Sequence, residues 1–181
     1  MQGDVRQMTE LLFYEDVNLR QCDARIVAVG DDGIVLDRTV FYPIGGGQPG
    51  DSGVLRLRDG SELVIETTRR RKDDAALLHV PVASANLSHL RPGDHVVALV
   101  DWQRRYVHMR VHTCLHLLSA VIPAGVTGGS IREGSGRLDF DLPDFRPDRA
   151  GVEARLNALI AEAHPVIPRC RTWEPASSCR T

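Results

Sequence analysis

At 181 residues with 43% hydrophobic side chains, the chain is long enough for one sizeable core or two small packed subdomains. Its 22 Lys and Arg stand against 24 Asp and Glu, a net charge of −2, which excludes a protein that coats nucleic acid nonspecifically and gives no reason to expect a DNA partner. The longest apolar runs, Val96 to Val100 and Leu115 to Ile122, are too short to span a membrane, and no charged-then-apolar signal segment opens the sequence. A cytoplasmic location without membrane contact is therefore expected. Cys22, Cys114, Cys170 and Cys179 are scattered with no C-x-x-C pair, so reduced thiols are expected rather than a disulfide framework or a zinc ribbon.

From Ala24 to about Thr68 the sequence reads as short apolar segments separated by turn signals: ARIVAVG, Asp32-Gly33, IVLDRTVFY, a Gly-Pro-rich loop, GVLRLR, Asp59-Gly60 and ELVIETT. This spacing predicts antiparallel strands in a small barrel or curled sheet. LLHVPV (Leu77 to Val82) adds a strand. A connection from Ser84 to Pro92 leads to HVVALVD, and a boundary near Pro92 divides a first domain, residues 1–92, from a second, residues 93–181. Asp101 then serves as N-cap of a helix through QRRYVHMRVHTCLHLLSAVI that stops at Pro123, with Tyr106, Met109, Leu117, Ala120 and Val121 available to bury it. A second β segment, VTGGSIREGSGRLDFDL, follows. The last helix, from about Asp148 to Ala163, repeats Val152, Leu156, Leu159 and Ile160 at helical spacing. Strands and helices are segregated rather than alternating, which gives an α+β class and disfavours a doubly wound parallel sheet.

His108, His112 and His116 recur at i, i+4 and i+8 and so project from nearly one side of the helix. With a rise of about 1.5 Å per residue the outer two stand roughly 12 Å apart, whereas nitrogens on one zinc lie only about 3–4 Å apart. Only an adjacent pair can chelate. No glutamate follows His112, so the H-E-x-x-H protease arrangement is absent and a hydrolytic site needs further ligands from elsewhere. Gly45, Gly46 and Gly47 remove three successive Cβ atoms, which lets backbone approach a ligand or adopt positive φ. Arg69 to Lys72 and Arg104, Arg105 and Arg110 form basic clusters, read either as solvated edges or as RNA phosphate contacts.

HTCLHLL (His112 to Leu118) resembles the H-T-x-x-H-L-L motif of the alanyl-tRNA synthetase editing domain and of the free-standing alanyl-tRNA editing proteins of the AlaX type. LDRTVFYPIGGGQPGDSG (Leu36 to Gly53) is similar to the same family's glycine-rich segment, and the resemblance runs over residues 10 to 165. It implies a small N-terminal antiparallel β-barrel followed by the α+β editing core shared with threonyl-tRNA synthetases. It also implies zinc-dependent hydrolysis of the ester joining serine, and as a second substrate glycine, to tRNA(Ala). His112 and His116 become metal ligands. Gly45, Gly46, Gly47 and Gln48 become the pocket wall, and Thr39 and Gln48 catalytic-site residues; from the basic cluster, Arg105 is expected to bind substrate through RNA phosphates. Thr39 matches a threonine that recognises the serine hydroxyl, the group by which a polar second site separates serine from alanine.

The family completes its metal site with a downstream C-x-x-x-H that this sequence lacks: Cys179 is followed only by Arg180 and Thr181, and His164 precedes Pro165 at the end of the last helix. The tail after about Val166 lacks the expected strand and helix patterning, so a C-terminally truncated core with an incomplete zinc ligand set is expected, with Cys170 or Cys179 as substitute ligands. A second reading follows, a catalytically weak module that binds tRNA or a synthetase, and a third, a fragment that needs another chain.

Overall fold

The computed structural model describes residues 9–143 and 146–167. The chain opens on β1 (Glu10–Leu11) and a 3-10 turn, Leu12–Tyr14. β2 (Gln21–Gly30) and β3 (Gly33–Leu36) form a hairpin across Asp31 and Asp32, with Gly30 opposite Gly33. β4 (Arg38–Thr39) pairs in parallel with β1. β5 (Gly53–Leu57), β6 (Glu62–Arg70), β7 (Leu77–Pro81) and β8 (His95–Val100) complete a closed barrel in the order β2-β3-β7-β6-β5-β8, with every neighbouring pair antiparallel. The closing strand β8 lies past Pro92 and pairs with both β2 and β5, so the expected division near Pro92 falls between two strands of one barrel.

The alternation read from sequence is the alternation of burial. β6 buries Leu63 and Ile65 between exposed neighbours and, past a register shift at Ile65–Thr67, buries Thr68, while β8 buries Val96, Ala98 and Val100. Leu63, Ile65, Val96, Ala98 and Val100 meet Ile26, Leu36, Val40, Phe41 and Leu55 in one core, where each of the larger apolar side chains contributes about 1.5–3 kcal/mol through removal from water. A polar pair sits within the buried set. His79 on β7 is wholly buried, its Nδ1 lies 3.1 Å from the Ile34 carbonyl, and its Nε2 lies 2.8 Å from Thr39 Oγ1. A carbonyl only accepts, so Nδ1 donates; Nε2 then accepts from the Thr39 hydroxyl, whose oxygen in turn accepts the Phe41 amide at 3.0 Å.

After the barrel, α1 (Trp102–Val121) is capped by the Asp101 carboxylate, which accepts from the Arg104 amide. It ends where Ile122, extended ahead of Pro123, can no longer continue the helix. The hairpin β9 (Val126–Arg132) and β10 (Ser135–Phe140) packs on α1. Gly136 permits this approach: a Cβ there would stand 2.8 Å from Val111 and 2.9 Å from Leu115. α2 (Arg149–Ala161), capped by Asp148, lies against α1 and carries a half-buried stripe of Val152, Leu156 and Leu159. The class is α+β with an N-terminal barrel, as expected. No helix among the described residues is long and apolar enough to cross a membrane. The expected truncation, and with it Cys170 and Cys179, lies outside the described residues.

The wholly buried side of α1 differs from expectation. Arg105 and His108, not Tyr106, are its buried residues, and Tyr106 is 50% exposed. The helix faces the barrel with polar groups because it is held there by an ion pair rather than by an apolar stripe.

Burial holds His79 at a pKa of about 4, below its ordinary 6.5, so the stability it contributes as a neutral group is complete above pH 6.5 and is lost as pH falls toward 4. Comparing the native chain with His79→Gln cancels the other titrating groups. The stability difference between them, from urea unfolding, should narrow by about 2–3 kcal/mol between pH 7.5 and pH 4.5. A difference independent of pH overturns the neutral assignment.

Candidate metal and acyl-binding cleft

The glycine segment is a tight turn for a reason visible in its backbone. Gly45 and Gln48 exchange amide-to-carbonyl bonds of 3.1 and 2.9 Å, and the two residues between them, Gly46 and Gly47, have φ of +58° and +76°. Two consecutive positive φ values define a type I′ turn, which glycine adopts without strain. The turn is tethered on both flanks. The Ile44 amide donates to the Thr68 carbonyl at 2.9 Å, and the Thr68 hydroxyl donates to the Asp51 carbonyl at 3.0 Å. From α1, Arg104 donates to the Gly50 carbonyl at 2.8 Å, and Arg105 donates to the Val40 carbonyl at 2.8 Å.

Beneath these tethers Arg105 Nη1 lies 3.6 Å from Asp51 Oδ2, with both side chains at 4% exposure or less. Asp51 Oδ2 also accepts the Tyr42 amide at 2.7 Å. Burial pushes the Asp51 carboxyl up to about 6 although the Arg105 charge pulls it down, and burial likewise lowers Arg105 against the pull of Asp51. The pair thus carries a desolvation cost that only its mutual attraction and the backbone bonds offset.

So fixed, the turn tip reaches two other elements. The Gly47 carbonyl accepts the Ile131 amide of β9 at 2.8 Å. Gln48, 6% exposed, places Oε1 3.0 Å from His112 Nδ1 on α1. An amide oxygen only accepts, so Nδ1 carries the proton and Nε2 keeps its lone pair. Burial, and secondarily His116, lowers the pKa of His112 and favours the neutral imidazole that ligates metals. The His116 ring lies parallel to it, centroids 4.9 Å apart and planes 12° apart, and is exposed. Together with Leu115 and Ser119, this pair forms one wall of a cleft of about 550 Å³, with Gly46 and Gly47 at the rim and β9 from Val126 to Ile131 opposite. That volume suits a small organic group.

The donor set fits two positions of a zinc site. A histidine whose second nitrogen donates to a fixed oxygen is the usual form of a protein ligand, and His112 with Gln48 has it. Among the described residues no group of three His, Cys, Asp or Glu is placed to hold a metal ion.

A family model for class II (A) tRNA synthetases matches residues 3–104, the barrel and the glycine turn included. The alanyl-tRNA editing protein AlaX-M of Methanosarcina acetivorans is 40% identical over 166 residues, which cover 88% of this chain and 68% of the relative. This chain belongs to the AlaX family of alanyl-tRNA editing proteins. AlaX-L of Pyrococcus horikoshii is 40% identical over 174 residues, 88% of this chain and 40% of that protein. The alanine–tRNA ligase of Methanothrix thermoacetophila is 32% identical over 178 residues, 94% of this chain but 19% of the ligase.

Among the expected site residues, Gly46, Gly47, His112 and His116 line the cleft, the buried Gln48 contacts His112, and Gly45 closes the turn. Two others do not. Thr39, expected to meet the substrate hydroxyl, is fully buried, and its own hydroxyl is occupied on both sides by His79 and the Phe41 amide. Arg105, expected to contact RNA phosphates, is 3% exposed and faces Asp51. His108 is fully buried and does not line the cleft. The basic run is mostly engaged locally: Arg71 pairs with Asp32 at 2.7 Å and Asp74 at 3.1 Å, and Arg69 donates to the Asp32 carbonyl. Sequence reasoning missed the β9 wall. Its Thr127-Gly-Gly-Ser130 run carried a visible signal, hydroxyls flanking two glycines, but read only as a strand.

A phosphate-binding arginine and a clamping one respond differently to truncation. Arg105→Met leaves Asp51 buried and uncompensated, and equilibrium unfolding should show a loss of about 3–5 kcal/mol. Thr39→Val strands His79 Nε2 and the Phe41 amide at a cost of about 1–3 kcal/mol. Weakened RNA binding of Arg105→Met at native stability, or loss of serine-over-alanine selectivity of Thr39→Val at native stability, would restore the role first expected of that residue.

Proposed function

We propose that this AlaX protein is a trans-editing aminoacyl-tRNA deacylase that hydrolyses serine, and as a second substrate glycine, from tRNA(Ala) with zinc as cofactor. The observation that carries the reading is the Gln48–His112 contact. It joins the glycine turn, which can approach an acyl group without side chains, to His112, whose neutral form burial favours, and through it to His116 on the wall of the same cleft. His112 through Nε2, together with His116, would hold the zinc. Bound zinc supplies polarisation of the ester carbonyl and a water of lowered pKa. The net reaction adds water across the ester: hydroxyl goes to the acyl carbon, and the departing ribose oxygen takes the proton. Gln48 is a positioning residue, keeping His112 in the tautomer that leaves Nε2 open.

Selectivity for serine requires polar groups that go unpaired when alanine binds, because an apolar pocket rejects a near-isostere weakly. With Thr39 occupied in the barrel, the hydroxyls on the cleft wall are those of Ser119, Thr127 and Ser130. Ser119 donates to the His116 carbonyl at 2.7 Å and retains its acceptor capacity. The alternative, a module that binds tRNA or a synthetase without turnover, is favoured by one observation: the described residues bring only two zinc ligands together.

Metal analysis and a deacylation assay on the full chain separate these. The deacylase binds about one zinc and releases serine from Ser-tRNA(Ala) faster than alanine from Ala-tRNA(Ala). His112→Ala abolishes both properties. Gln48→Ala lowers zinc affinity by about 10–100-fold in a chelator competition. Retained tRNA binding without zinc or turnover supports the module instead.

A further inference from the structure

One face of α1 carries a feature unrelated to the cleft or the clamp. Trp102, Tyr106 and Arg110 follow one another at i, i+4 and i+8, and Arg20, just before β2, covers the free end of the row. The Arg20 guanidinium lies 4.7 Å from the Trp102 ring centroid, the Trp102 and Tyr106 rings stack at 6.0 Å and 24°, and the Arg110 guanidinium lies 5.9 Å from the Tyr106 ring. Tyr106 is 50% exposed and both arginines are exposed. Neither arginine has an acidic partner among the described residues.

We propose that this Arg20–Trp102–Tyr106–Arg110 ladder is a platform on which the unpaired 3′-terminal nucleotides of an RNA stack. Packing of the helix start onto the barrel needs only the Arg20–Trp102 contact; it accounts for neither the second ring nor the second guanidinium. Aromatic faces between unpaired cations match a ligand made of π-surfaces joined by anions, and such stacking is available only to bases outside a duplex. The exposed patch is narrow and cationic at both ends, which suits a single strand better than an apolar protein surface.

The inference rests on the deacylase reading for its choice of RNA, since the same helix carries His112 and His116. On an ideal helix His116 lies about 15 Å along the axis from Tyr106 and about 80° around it. A terminal nucleotide whose ester enters the cleft would therefore leave the bases a few positions upstream near the ladder.

The full chain carrying Trp173→Phe retains Trp102 as its only indole, so its fluorescence reports the platform directly. Titration with an RNA hairpin ending in an unpaired ACCA should quench that emission, and the same hairpin with a blunt end should not. Tyr106→Ala should raise the Kd for the overhang hairpin by about 5- to 150-fold, the value of one stacked base, while Tyr106→Phe binds as the native chain does. Unchanged melting of Tyr106→Ala, expected for a half-exposed side chain, shows that the fold is intact. Equal affinity of native and Tyr106→Ala proteins, equal binding of blunt and overhang hairpins, or no binding by the native chain overturns the platform. Turnover of Ser-tRNA(Ala) with a Kd insensitive to Tyr106→Ala overturns the platform alone. Overhang-specific binding without turnover upholds it and overturns the deacylase.

Discussion

The buried contact between Arg105 and Asp51 is the constraint on which the rest of the site depends. It joins the first turns of α1 to the loop that leaves the barrel after β4, and each partner carries a second bond that fixes a backbone: Arg105 to the Val40 carbonyl, Asp51 to the Tyr42 amide. Isolated, either charge would be expensive at this depth. The two are tolerated because each answers the other and each holds one backbone group, although Asp51 Oδ1 stays buried without a hydrogen-bond partner. What the pair secures is register. It sets how far the loop protrudes along α1, and therefore which α1 residue stands opposite Gln48.

From that register the chemistry of His112 follows in short steps. The type I′ geometry of Gly46 and Gly47 turns the chain back so that Gln48 points toward the helix, and the Ile131 amide on the Gly47 carbonyl stops the turn from lifting away. Gln48 then accepts from Nδ1, which leaves Nε2 as the open nitrogen. A turn displaced by one residue would lose this tautomer control although every ligand side chain remained on the helix. The clamp also has a pH limit. Asp51 takes up a proton near pH 6, and below that value the attraction that aligns loop and helix weakens. The neutral form of the carboxyl is the one burial prefers, so protonation relieves desolvation even as it loosens the clamp.

Much of this was legible in the sequence. The alternation in ELVIETT and HVVALVD specified half-buried strands, Asp101 and Pro123 bounded α1, and the i, i+4 spacing brought His112 and His116 together. Positions whose roles are set by distant partners were not legible. Thr39 looks like any polar strand residue before the cleft. Only barrel closure, which sets His79 on β7 against it, shows that its hydroxyl is already occupied. Arg105 sits in a run with Arg104 that reads as a basic surface, and nothing local distinguishes the arginine that meets Asp51 from one that faces water. The β9 wall was missed for a related reason, since strand periodicity says which residues alternate but not which element the exposed face will oppose.

Contacts with several distant partners also make α1 a poor amphipathic helix by sequence pattern. An ordinary surface helix has one apolar stripe and one solvated face. α1 serves several surfaces at once: Arg105 toward Asp51 and Val40, Leu115 with the histidine pair toward the cleft and β10, another side toward α2, and Trp102, Tyr106 and Arg110 in the aromatic–cation row. Apolar residues are thus distributed around the axis, and polar ones occupy the most buried positions. A helix built this way gains less from hydrophobic burial alone than its length suggests, so its placement falls to specific contacts: the Asp101 cap, the close approach allowed by Gly136, and above all the ion pair with Asp51. The sequence pattern that looks frustrated as a helix is consistent once each face is assigned its own partner.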